Sequence, residues 1–484
     1  MTRTISLIDL KHLHMYVNGN WVNANDEATF AVVNPSTGET IGRVPNAGGA
    51  ETKAAIEAAH QAFPAWSTRT AQERASLMLR LRDLMLEHRE ELAAIMSMEM
   101  GKVYKEALGE VAYAASFLEW YAEEGKRIYG ETIPASSPNK RLLVIKQPVG
   151  VVAAITPWNF PLAMMTRKLG PALAAGCTGI VKPASLSPLS AIAFCKLVEM
   201  AGFPAGTVNV VTGASQPISD EIFSNPIVRK VSFTGSTEVG KQLVKQSAEQ
   251  LKRLSLELGG HAPFIVFGDA DLEAAAAGVL ASKFRNAGQT CVCANRIYVQ
   301  RGVLESFSKL FAAKVAALTV GNSLENDVEI GPLVNAGGLA KVTEHVNDAI
   351  GKGAKVLCGG KQLGEQGLFY APTVLGDVTP DMLISFEETF GPVAPIIVFD
   401  SEEEVIRQAN DTDYGLAAYL YTSDLKRAIR VTEALQFGII GLNDALPGVA
   451  QAPFGGMKQS GYGREGGHQG LEEYLDTKYV SLGM

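Results

Sequence analysis

The hydrophobic pattern divides the chain into an N-terminal part of short strands and helices and two longer alternations of strands and helices. Residues 14–47 read as short strands joined at Asn-Gly and Gly-Glu pairs, which predicts hairpins. From Thr52 to about Gly130, apolar residues recur at three- and four-residue steps, and this spacing predicts three helices. The prolines of the next stretch, ETIPASSPNKRLLVIKQP, exclude a helix and predict a polar loop with an extended ribbon.

The second part alternates apolar strands with helices. Strands are predicted at VGVVAAIT, GIVKP, VNVVTG, VRKVSFTGS and RLSLELGG. Nearly continuous apolar strands separated by helices are typical of a parallel sheet covered on both faces, of the kind that binds dinucleotides. A further alternation begins at APFIVFG and runs through AKVLCGG, APIIVFD, LAAYLYTS and FGIIGLN, which predicts a second such domain joined to the first near Gly259 and Gly260.

The predicted fold is therefore α/β, with two doubly wound α/β domains, the first Rossmann-like, and a small β ribbon. We expect the first domain to span 1–130 and 149–259, the second 260–460, and the ribbon and C-terminal tail 131–148 and 461–484. The tail, LEEYLDTKYVSLGM, ends in a strand that is predicted to pair with the ribbon at 141–147. Because bare strand edges invite pairing, this ribbon predicts a homo-oligomer.

Composition narrows the classes of protein. The 484 residues are 47% hydrophobic and 19% charged, which suffices for a large core in more than one domain. The net charge of −8, without a long basic run, predicts neither a nucleic-acid nor a membrane partner. The N-terminus lacks the pattern of a signal peptide and no long uncharged apolar span follows, so we expect a cytoplasmic protein. Five dispersed cysteines indicate reduced thiols, and no metal site is predicted.

Two of these cysteines, Cys291 and Cys293, stand one residue apart where an apolar helical run gives way to a turn, in FRNAGQTCVCANR. A thiol at such a junction can reach a pocket. It becomes a nucleophile only as a thiolate, which requires nearby positive charge, a helix dipole or a base. Small buried cysteines are also common in cores, so this stretch alone leaves both interpretations open.

Two stretches of the first domain are candidates for binding a dinucleotide. FTGSTEVG follows a predicted strand and opens a helix, so that Gly235 and Ser236 can meet a pyrophosphate at the helix N-terminus; a plain helix cap is the alternative. IVKPAS ends another strand, where Lys182 can bond ribose hydroxyls. Ser185 stands where a glutamate would repel a 2′-phosphate, which favours NADP with NAD possible.

Three polar residues have a chemistry suited to catalysis or binding. Glu257, in LELGG, ends a sheet strand, where partial burial raises a carboxyl pKa and makes a general base. Asn159 stands between two prolines in PWNFP, which presets its amide as an oxyanion donor. Glu388, in EETFGP, precedes a rigid turn. For each of them an ordinary turn residue is the alternative.

Together, PWNFP, IVKPAS, FTGSTEVG, LELGG, NAGQTC, EETFGP and PFGGMKQSGYGRE resemble, in order and approximate spacing, the aldehyde dehydrogenase superfamily over nearly the whole chain. The resemblance implies that Cys291 is the nucleophile, Glu257 the general base and Asn159 the oxyanion donor, and that the second domain is the catalytic one. It also implies a dimer or tetramer. The dinucleotide contacts that it implies are Thr156, Trp158, Asn159, Lys182, Ala184, Ser185, Gly235, Ser236, Leu258, Glu388 and Phe390.

Within the superfamily, NAGQTCVCANR, the Arg-Lys pair of MMTRKLGPALAAGCT and the C-terminal tail most resemble succinate-semialdehyde dehydrogenases. The resemblance assigns Arg167 and Arg285 to the distal carboxylate of an acidic aldehyde, a group that arginine binds through two parallel hydrogen bonds. An ordinary ion pair is the alternative for each. Val449 aligns where some of these enzymes have a serine that helps to hold the carboxylate, which keeps glutarate semialdehyde or a small aliphatic aldehyde open.

Two other functions remain alternatives: a cofactor-independent thiol esterase and a non-catalytic binding protein. The set Lys182, Ser185 and Ser236 argues against the esterase as the main role. We also predict that Cys291 and Cys293 form a reversible redox pair, because a second thiol can condense with an oxidised first one to a disulfide. At this spacing the loop has to rearrange before the two sulfurs can bond.

Overall fold

The computed structural model describes residues 5–364 and 366–484. The strands are β1 Met15–Val17, β2 Asn20–Val22, β3 Thr29–Val33, β4 Thr40–Pro45, β5 Glu131–Ile133, β6 Lys140–Pro148, β7 Val151–Ile155, β8 Thr178–Lys182, β9 Val208–Val210, β10 Val228–Thr234, β11 Arg253–Glu257, β12 Ala262–Val266, β13 Ala294–Gln300, β14 Lys355–Cys358, β15 Gln362–Leu363, β16 Phe369–Tyr370, β17 Thr373–Gly376, β18 Val393–Phe399, β19 Ala417–Tyr421, β20 Ile439–Leu442, β21 Gly461–Tyr462 and β22 Leu475–Gly483. The α-helices are α1 Gly49–Ser67, α2 Ala71–Glu87, α3 Arg89–Met100, α4 Tyr104–Glu124, α5 Ala163–Ala175, α6 Leu189–Ala201, α7 Ser215–Ser224, α8 Thr237–Ser247, α9 Leu272–Phe284, α10 Leu304–Ala316, α11 Ala336–Gly351, α12 Leu383–Phe386, α13 Glu402–Asn410, α14 Leu425–Ala434 and α15 Gly467–Glu472.

The first sheet has the strand order β2-β1-β9-β8-β7-β10-β11-β21. Its five central strands, β9 to β11 in that order, are parallel, and antiparallel β1 and β21 flank them. Strands such as β7, with the sequence VVAAI, are almost wholly buried because helices cover both faces. The predicted parallel, doubly covered sheet is confirmed.

The second sheet has the order β14-β17-β18-β13-β12-β19-β20, with β14 antiparallel to the rest. The predicted second α/β unit is therefore present, but the sequence pattern missed β13 and β17. Strand β13 was missed because its first residues are polar. Arg296 is nevertheless buried there, since its guanidinium donates to the carbonyls of His261 at 3.0 Å and Ala409 at 2.9 Å.

The helical region before the ribbon contains four helices, α1 to α4, where the sequence predicted three. The left-handed Gly101, with φ of 78°, ends α3 and separates it from α4. At the start of α2, Thr70 accepts from the Glu73 N–H while the Glu73 carboxylate accepts from the Thr70 N–H. The pattern also missed the short α7, whose sequence SQPISDEIFS is largely polar.

The ribbon consists of β5, β6 and β22, and its pairing confirms the prediction for the tail. Strand β22 runs antiparallel to β6, from Leu475 opposite Pro148 to Gly483 opposite Lys140. The domain boundary at residue 461 needs a correction, because 461–462 form β21 beside β11 in the first sheet. A side chain at Gly461 would lie 1.9 Å from the Leu256 carbonyl oxygen, so only glycine permits this close approach.

The two sheets meet where β11 leads into β12 through Gly259 and Gly260. A Cβ on Gly260 would lie 2.4 Å from the carbonyl oxygen of Cys291, so the connection packs directly against the turn that carries the cysteines. The carboxyl edge of the first sheet therefore faces that turn. Within the ranges that the structure describes, no helix is long and apolar enough to cross a membrane, and no cluster of three or more potential metal-ligating side chains occurs.

Candidate active site

Cys291 lies just after a short 3-10 helix that continues α9, on a turn with an unusual backbone. Asn286 and Ala287 both adopt left-handed conformations, with φ of 52° and 54°, although neither is a glycine. Such conformations persist where the surroundings over-determine them, often at functional sites. Gln289 stabilises the turn, since its side chain donates to the Asn286 carbonyl at 3.0 Å and accepts from the Val334 N–H at 2.9 Å.

The Cys291 side chain faces a cavity of about 340 Å³. Burial raises the pKa of this thiol to about 12, although the positive charge of Arg167 opposes the shift. A thiol with this pKa is protonated at neutral pH, so it has to lose its proton before it can act as a nucleophile.

Asn159 lines the same cavity, and hydrogen bonds fix both its backbone and its side chain. The Asn159 side-chain amide donates to the Gln289 carbonyl at 3.0 Å, and its backbone carbonyl accepts from the Lys102 ammonium at 2.7 Å. One of the two amide hydrogens is thereby fixed, which leaves the second with a defined direction. A preset donor of this kind suits a developing oxyanion.

Glu257 ends β11 and is almost completely buried, at 3% exposure. Burial and the nearby Glu465 carboxylate raise its pKa well above the ordinary value, against the opposing charges of Arg167 and Lys168. Oxygen Oε2 has no hydrogen-bond partner among the described residues. A carboxylate in this environment is a stronger base than one in water.

The carboxyl ends of β8, β7, β10 and β11 lie side by side at one edge of the first sheet, because these strands are parallel neighbours. Lys182 ends β8, and burial lowers its pKa to about 8 while its ammonium donates to Ser215 Oγ at 2.9 Å. Ser236 accepts from the Val239 N–H at 3.3 Å and so caps α8, as the alternative interpretation held. Ser185 is exposed and donates to the Gly213 carbonyl at 3.4 Å.

Most of the predicted residues meet at the cavity, and a few do not. Those that line it are Trp158, Asn159, Arg167, Gly235, Ser236, Leu258, Arg285, Cys291, Glu388 and Phe390. The lining does not include Glu257, which ends β11 next to the lining residue Leu258. It also does not include Thr156, Lys182, Ala184 and Ser185, which follow or end β7 and β8 at the same sheet edge. The Glu388 carboxylate accepts a hydrogen bond from the Gly260 N–H at 3.1 Å, and burial raises the pKa of Glu388 to about 7.

The two predicted carboxylate-binding arginines differ in their surroundings. Burial lowers the pKa of Arg167, but Glu465 at 2.9 Å, together with Tyr113, Glu257 and Cys291, raises it above the ordinary value. The Arg167 guanidinium lies 3.9 Å from the centre of the Phe454 ring. Arg285 has no ion pair in the described parts of the chain, and its Nε lacks a hydrogen-bond partner. Its guanidinium lies 5.3 Å from the centre of the Phe160 ring, on the cavity wall. Arg285 is therefore the arginine of the cavity wall that forms no ion pair among the described residues. Its positive charge still opposes the rise that burial causes in the pKa of the Glu106 carboxyl.

Val449 requires a correction. The sequence predicted it at the substrate, but the preceding residues, 445–448, line the cavity and Val449 is 41% exposed. Its neighbour Ala450 is buried and accepts from the Gly467 N–H at 2.9 Å, so that Val449 points away from the packed side.

Cys293 is fully buried behind the turn. Its thiol donates to the Gly288 carbonyl at 3.3 Å, and the Lys283 ammonium lies 3.7 Å from the sulfur. Both Cys291 and Cys293 are free thiols, so the predicted redox pair stays a prediction.

The sequence pattern missed several residues of the cavity wall. Phe160 and Phe454 lie inside the motifs PWNFP and PFGG, and that position was a usable signal. Tyr113 comes from α4 and Tyr419 from β19, where nothing local distinguishes them from core aromatics.

A thiol, an amide and a buried carboxylate lie beside the carboxyl edge of a dinucleotide-binding type of sheet, which is the arrangement of a nucleotide-dependent enzyme. The chain belongs to the aldehyde dehydrogenase family, whose model matches residues 21–480. This confirms the resemblance that the motifs indicated.

Individual relatives are similar over almost the full length. A succinate-semialdehyde dehydrogenase [NADP(+)] of Escherichia coli (strain K12) is 56% identical, with 97% of each chain covered. A glutarate-semialdehyde dehydrogenase of Pseudomonas aeruginosa is 57% identical, also with 97% of each covered. Among solved structures, an NADP-dependent enzyme of E. coli superimposes with a TM-score of 0.97 at 55% identity, covering 98% of this chain and 99% of that one. The predicted fold class is confirmed.

Proposed function

We propose that this aldehyde dehydrogenase oxidises succinate semialdehyde to succinate with NADP+, and that NAD+ is also used. The observation that carries the proposal is Arg285, which forms no ion pair among the described residues and lies on the wall of the cavity that holds Cys291. An acidic aldehyde places its carbonyl at the thiol and its carboxylate at the guanidinium. The similarity to relatives named for semialdehydes supports the same substrate class.

The sheet edge fits a dinucleotide with a 2′-phosphate. The Lys182 ammonium is a donor at the end of β8, and the exposed Ser185 brings a hydroxyl in place of a carboxylate that would repel the phosphate. The N-terminus of α8, capped by Ser236, favours a pyrophosphate through its backbone N–H groups. The bound dinucleotide supplies the hydride acceptor.

We propose the following roles for the chain's own residues. The Cys291 thiolate attacks the aldehyde carbon and forms a thiohemiacetal, whose oxyanion accepts hydrogen bonds from the Asn159 amide and the Cys291 backbone N–H. Loss of hydride from that carbon leaves a thioester on Cys291. Glu257 takes a proton from water as the water attacks the thioester, which releases the carboxylic acid and frees the thiol.

Glutarate semialdehyde is the second candidate substrate. It stays a candidate because Val449, the position where a serine could help to hold the carboxylate, lies outside the cavity lining, so this position contributes no second donor that would favour the shorter substrate. The 57% identical relative from P. aeruginosa carries that name.

A panel of aldehydes tests the substrate proposal. We expect kcat/KM with NADP+ to be highest for succinate semialdehyde and about 10- to 100-fold lower for butanal, which has the same chain length but lacks the charged group that Arg285 binds. Higher values for glutarate semialdehyde favour the second candidate. Equal values for butanal contradict an acidic substrate.

We further propose that the ribbon joins copies of this chain into a dimer or tetramer in the cytoplasm. Strands β5 and β22 are its two edges, and the apolar side chains exposed on it include Ile133 at 41%, Tyr479 at 59% and Leu482 at 45%. Open edges and exposed apolar side chains favour association. Light scattering after size-exclusion chromatography tests this, and a monomer at micromolar concentration contradicts it.

A further inference from the structure

Three charged residues at four-residue steps form a charged stripe: Lys102 just before α4, and Glu106 and Glu110 in the first two turns of that helix. In a sequence this spacing is typical of a solvated helix face. Here Lys102 and Glu110 are buried, at 2% and 3% exposure, and form an ion pair, while Glu106 lies between them and is partly buried. Buried charges are costly unless each has partners, so the contacts of this stripe require an explanation.

Lys102 holds the segment of the oxyanion donor. Its ammonium, besides pairing with Glu110, donates to the backbone carbonyl of Asn159 at 2.7 Å and lies 3.7 Å from the centre of the Phe160 ring. The carbonyl of Asn159 also accepts from the Asn286 side chain at 3.3 Å. The position of Asn159 is therefore tied to the stripe from one side and to the cysteine turn from the other.

Glu106 holds the cysteine turn. Its Oε2 accepts from the backbone N–H of Asn286 at 2.8 Å. Asn286 is the first of the two left-handed residues before Cys291, and the bond reaches it across 180 positions of sequence. A conformation that an asparagine and an alanine adopt only under constraint thus depends on a carboxylate from another part of the fold.

Glu110 holds the helix that carries Arg167. Its Oε1 accepts from the backbone N–H groups of Leu162 at 3.0 Å and Ala163 at 3.2 Å, which are the first free donors of α5. A carboxylate at a helix N-terminus also interacts favourably with the helix dipole.

We propose that Lys102, Glu106 and Glu110 are positioning residues that fix Asn159, the Cys291 turn and α5 relative to one another, in register for the attack on the aldehyde. Glu106 and Glu110 lie on one face of α4, and the ion pair with Glu110 joins Lys102, just before the helix, to them, so a displacement of one catalytic element is resisted by the other two. The identity of the positioned parts rests on the proposed function. None of the three needs to touch the substrate for this role.

Glu106 offers the sharpest test because it has near-isosteric replacements. Glu106→Gln keeps a carbonyl oxygen that accepts the Asn286 N–H, whereas Glu106→Met has a similar length and no such acceptor. We expect the Gln variant to keep kcat within about threefold of the parent and the Met variant to lose about 10- to 100-fold, because misplacement of reacting groups by a fraction of an ångström has effects of this size. Glu119→Met, on the exposed side of the same helix, is the matched control with unchanged kcat.

Two further readouts separate positioning from a merely structural role. The rate of Cys291 alkylation by iodoacetamide, measured without cofactor, should change in Glu106→Met and not in Glu106→Gln. Adding Ala287→Gly to Glu106→Met should restore part of kcat, since glycine adopts a positive φ without strain. If Glu106→Met does not fold, Glu106→Asp replaces it: its carboxylate is too short to reach Asn286, and kcat should fall similarly.

The outcomes for the stripe and for the proposed function are distinct. Turnover is measured with propanal as well as with succinate semialdehyde, so the comparison among variants does not depend on the acidic substrate. A parent that reduces no cofactor with any aldehyde contradicts the proposed function. If the parent is active and a folded Glu106→Met or Glu106→Asp variant has the kcat and alkylation rate of the parent, the positioning role of the stripe is wrong and the proposed function is unaffected.

Discussion

Replacing Arg285 by methionine should remove the preference for an acidic aldehyde while leaving the rest of the site in place. Methionine retains an unbranched apolar stem that can pack beside Phe160, but it lacks the guanidinium. The native guanidinium has no ion pair to lose within the described residues, so the change breaks no internal salt bridge. Its effect should therefore appear only with a substrate that carries a carboxylate.

The expected magnitude follows from the contact that is lost. A hydrogen bond to a charged group contributes about 1.5 to 3 kcal/mol, which corresponds to a fall of about 10- to 150-fold in kcat/KM for succinate semialdehyde. Butanal, which has no carboxylate, should change by less than about threefold, because none of its interactions depends on that charge.

Initial rates of NADPH formation with both aldehydes provide the assay, and Arg167→Met provides the contrast. Arg167 faces Glu465 Oε2 at 2.9 Å, so its removal takes one of the two cations from this buried carboxylate, leaves only Lys168 on Oε1, and should lower turnover of both substrates. Equal losses for succinate semialdehyde and butanal in Arg285→Met, or no loss for either, would refute the role of Arg285.

Three other predictions concern the thiols and the oxyanion donor. Asn159→Ala should lower kcat by about 100- to 1000-fold without unfolding the protein, and near-normal turnover would contradict its role. Burial raises the pKa of Cys291 to about 12, and the thiolate predominates only above that value. Alkylation of Cys291 in the protein without ligands should therefore become faster with rising pH up to about pH 10. A rate that is already constant near neutral pH would show that the thiol is ionised there. Peroxide should inactivate the enzyme and dithiothreitol restore it, with Cys293→Ala losing the recovery; full recovery of that variant would reduce Cys293 to a packing role.

The motifs were sufficient to predict the thiol, the amide and the carboxylate, because each lies at the end of a recognisable strand or in a turn. The ion pair between Arg167 and Glu465 was not predictable in this way. Lys168 and Glu465, which form its buried neighbourhood, stand 297 positions apart, and no local pattern links them. The sequence therefore indicated two equivalent arginines, whereas the fold pairs Arg167 with Glu465 and gives Arg285 no ion pair among the described residues.

The stripe on α4 shows the same limit at a finer scale. Lys102, Glu106 and Glu110 have the four-residue spacing of an ordinary surface face. Only the packing against α5 and the cysteine turn shows that Lys102 and Glu110 are buried and that Glu106 is partly buried. Strand β13 was missed for a related reason, because Arg296 at its start is polar in sequence but satisfied inside the sheet.

The covalent intermediate on Cys291 tests the central claim most directly. Glu257→Gln should still form the thioester but hydrolyse it slowly, so rapid mixing with NADP+ and succinate semialdehyde should give a burst of NADPH approaching one equivalent per active site. Mass spectrometry should then find the succinyl group on the peptide that contains Cys291. A variant without a burst, or with the acyl group on another residue, would contradict the account.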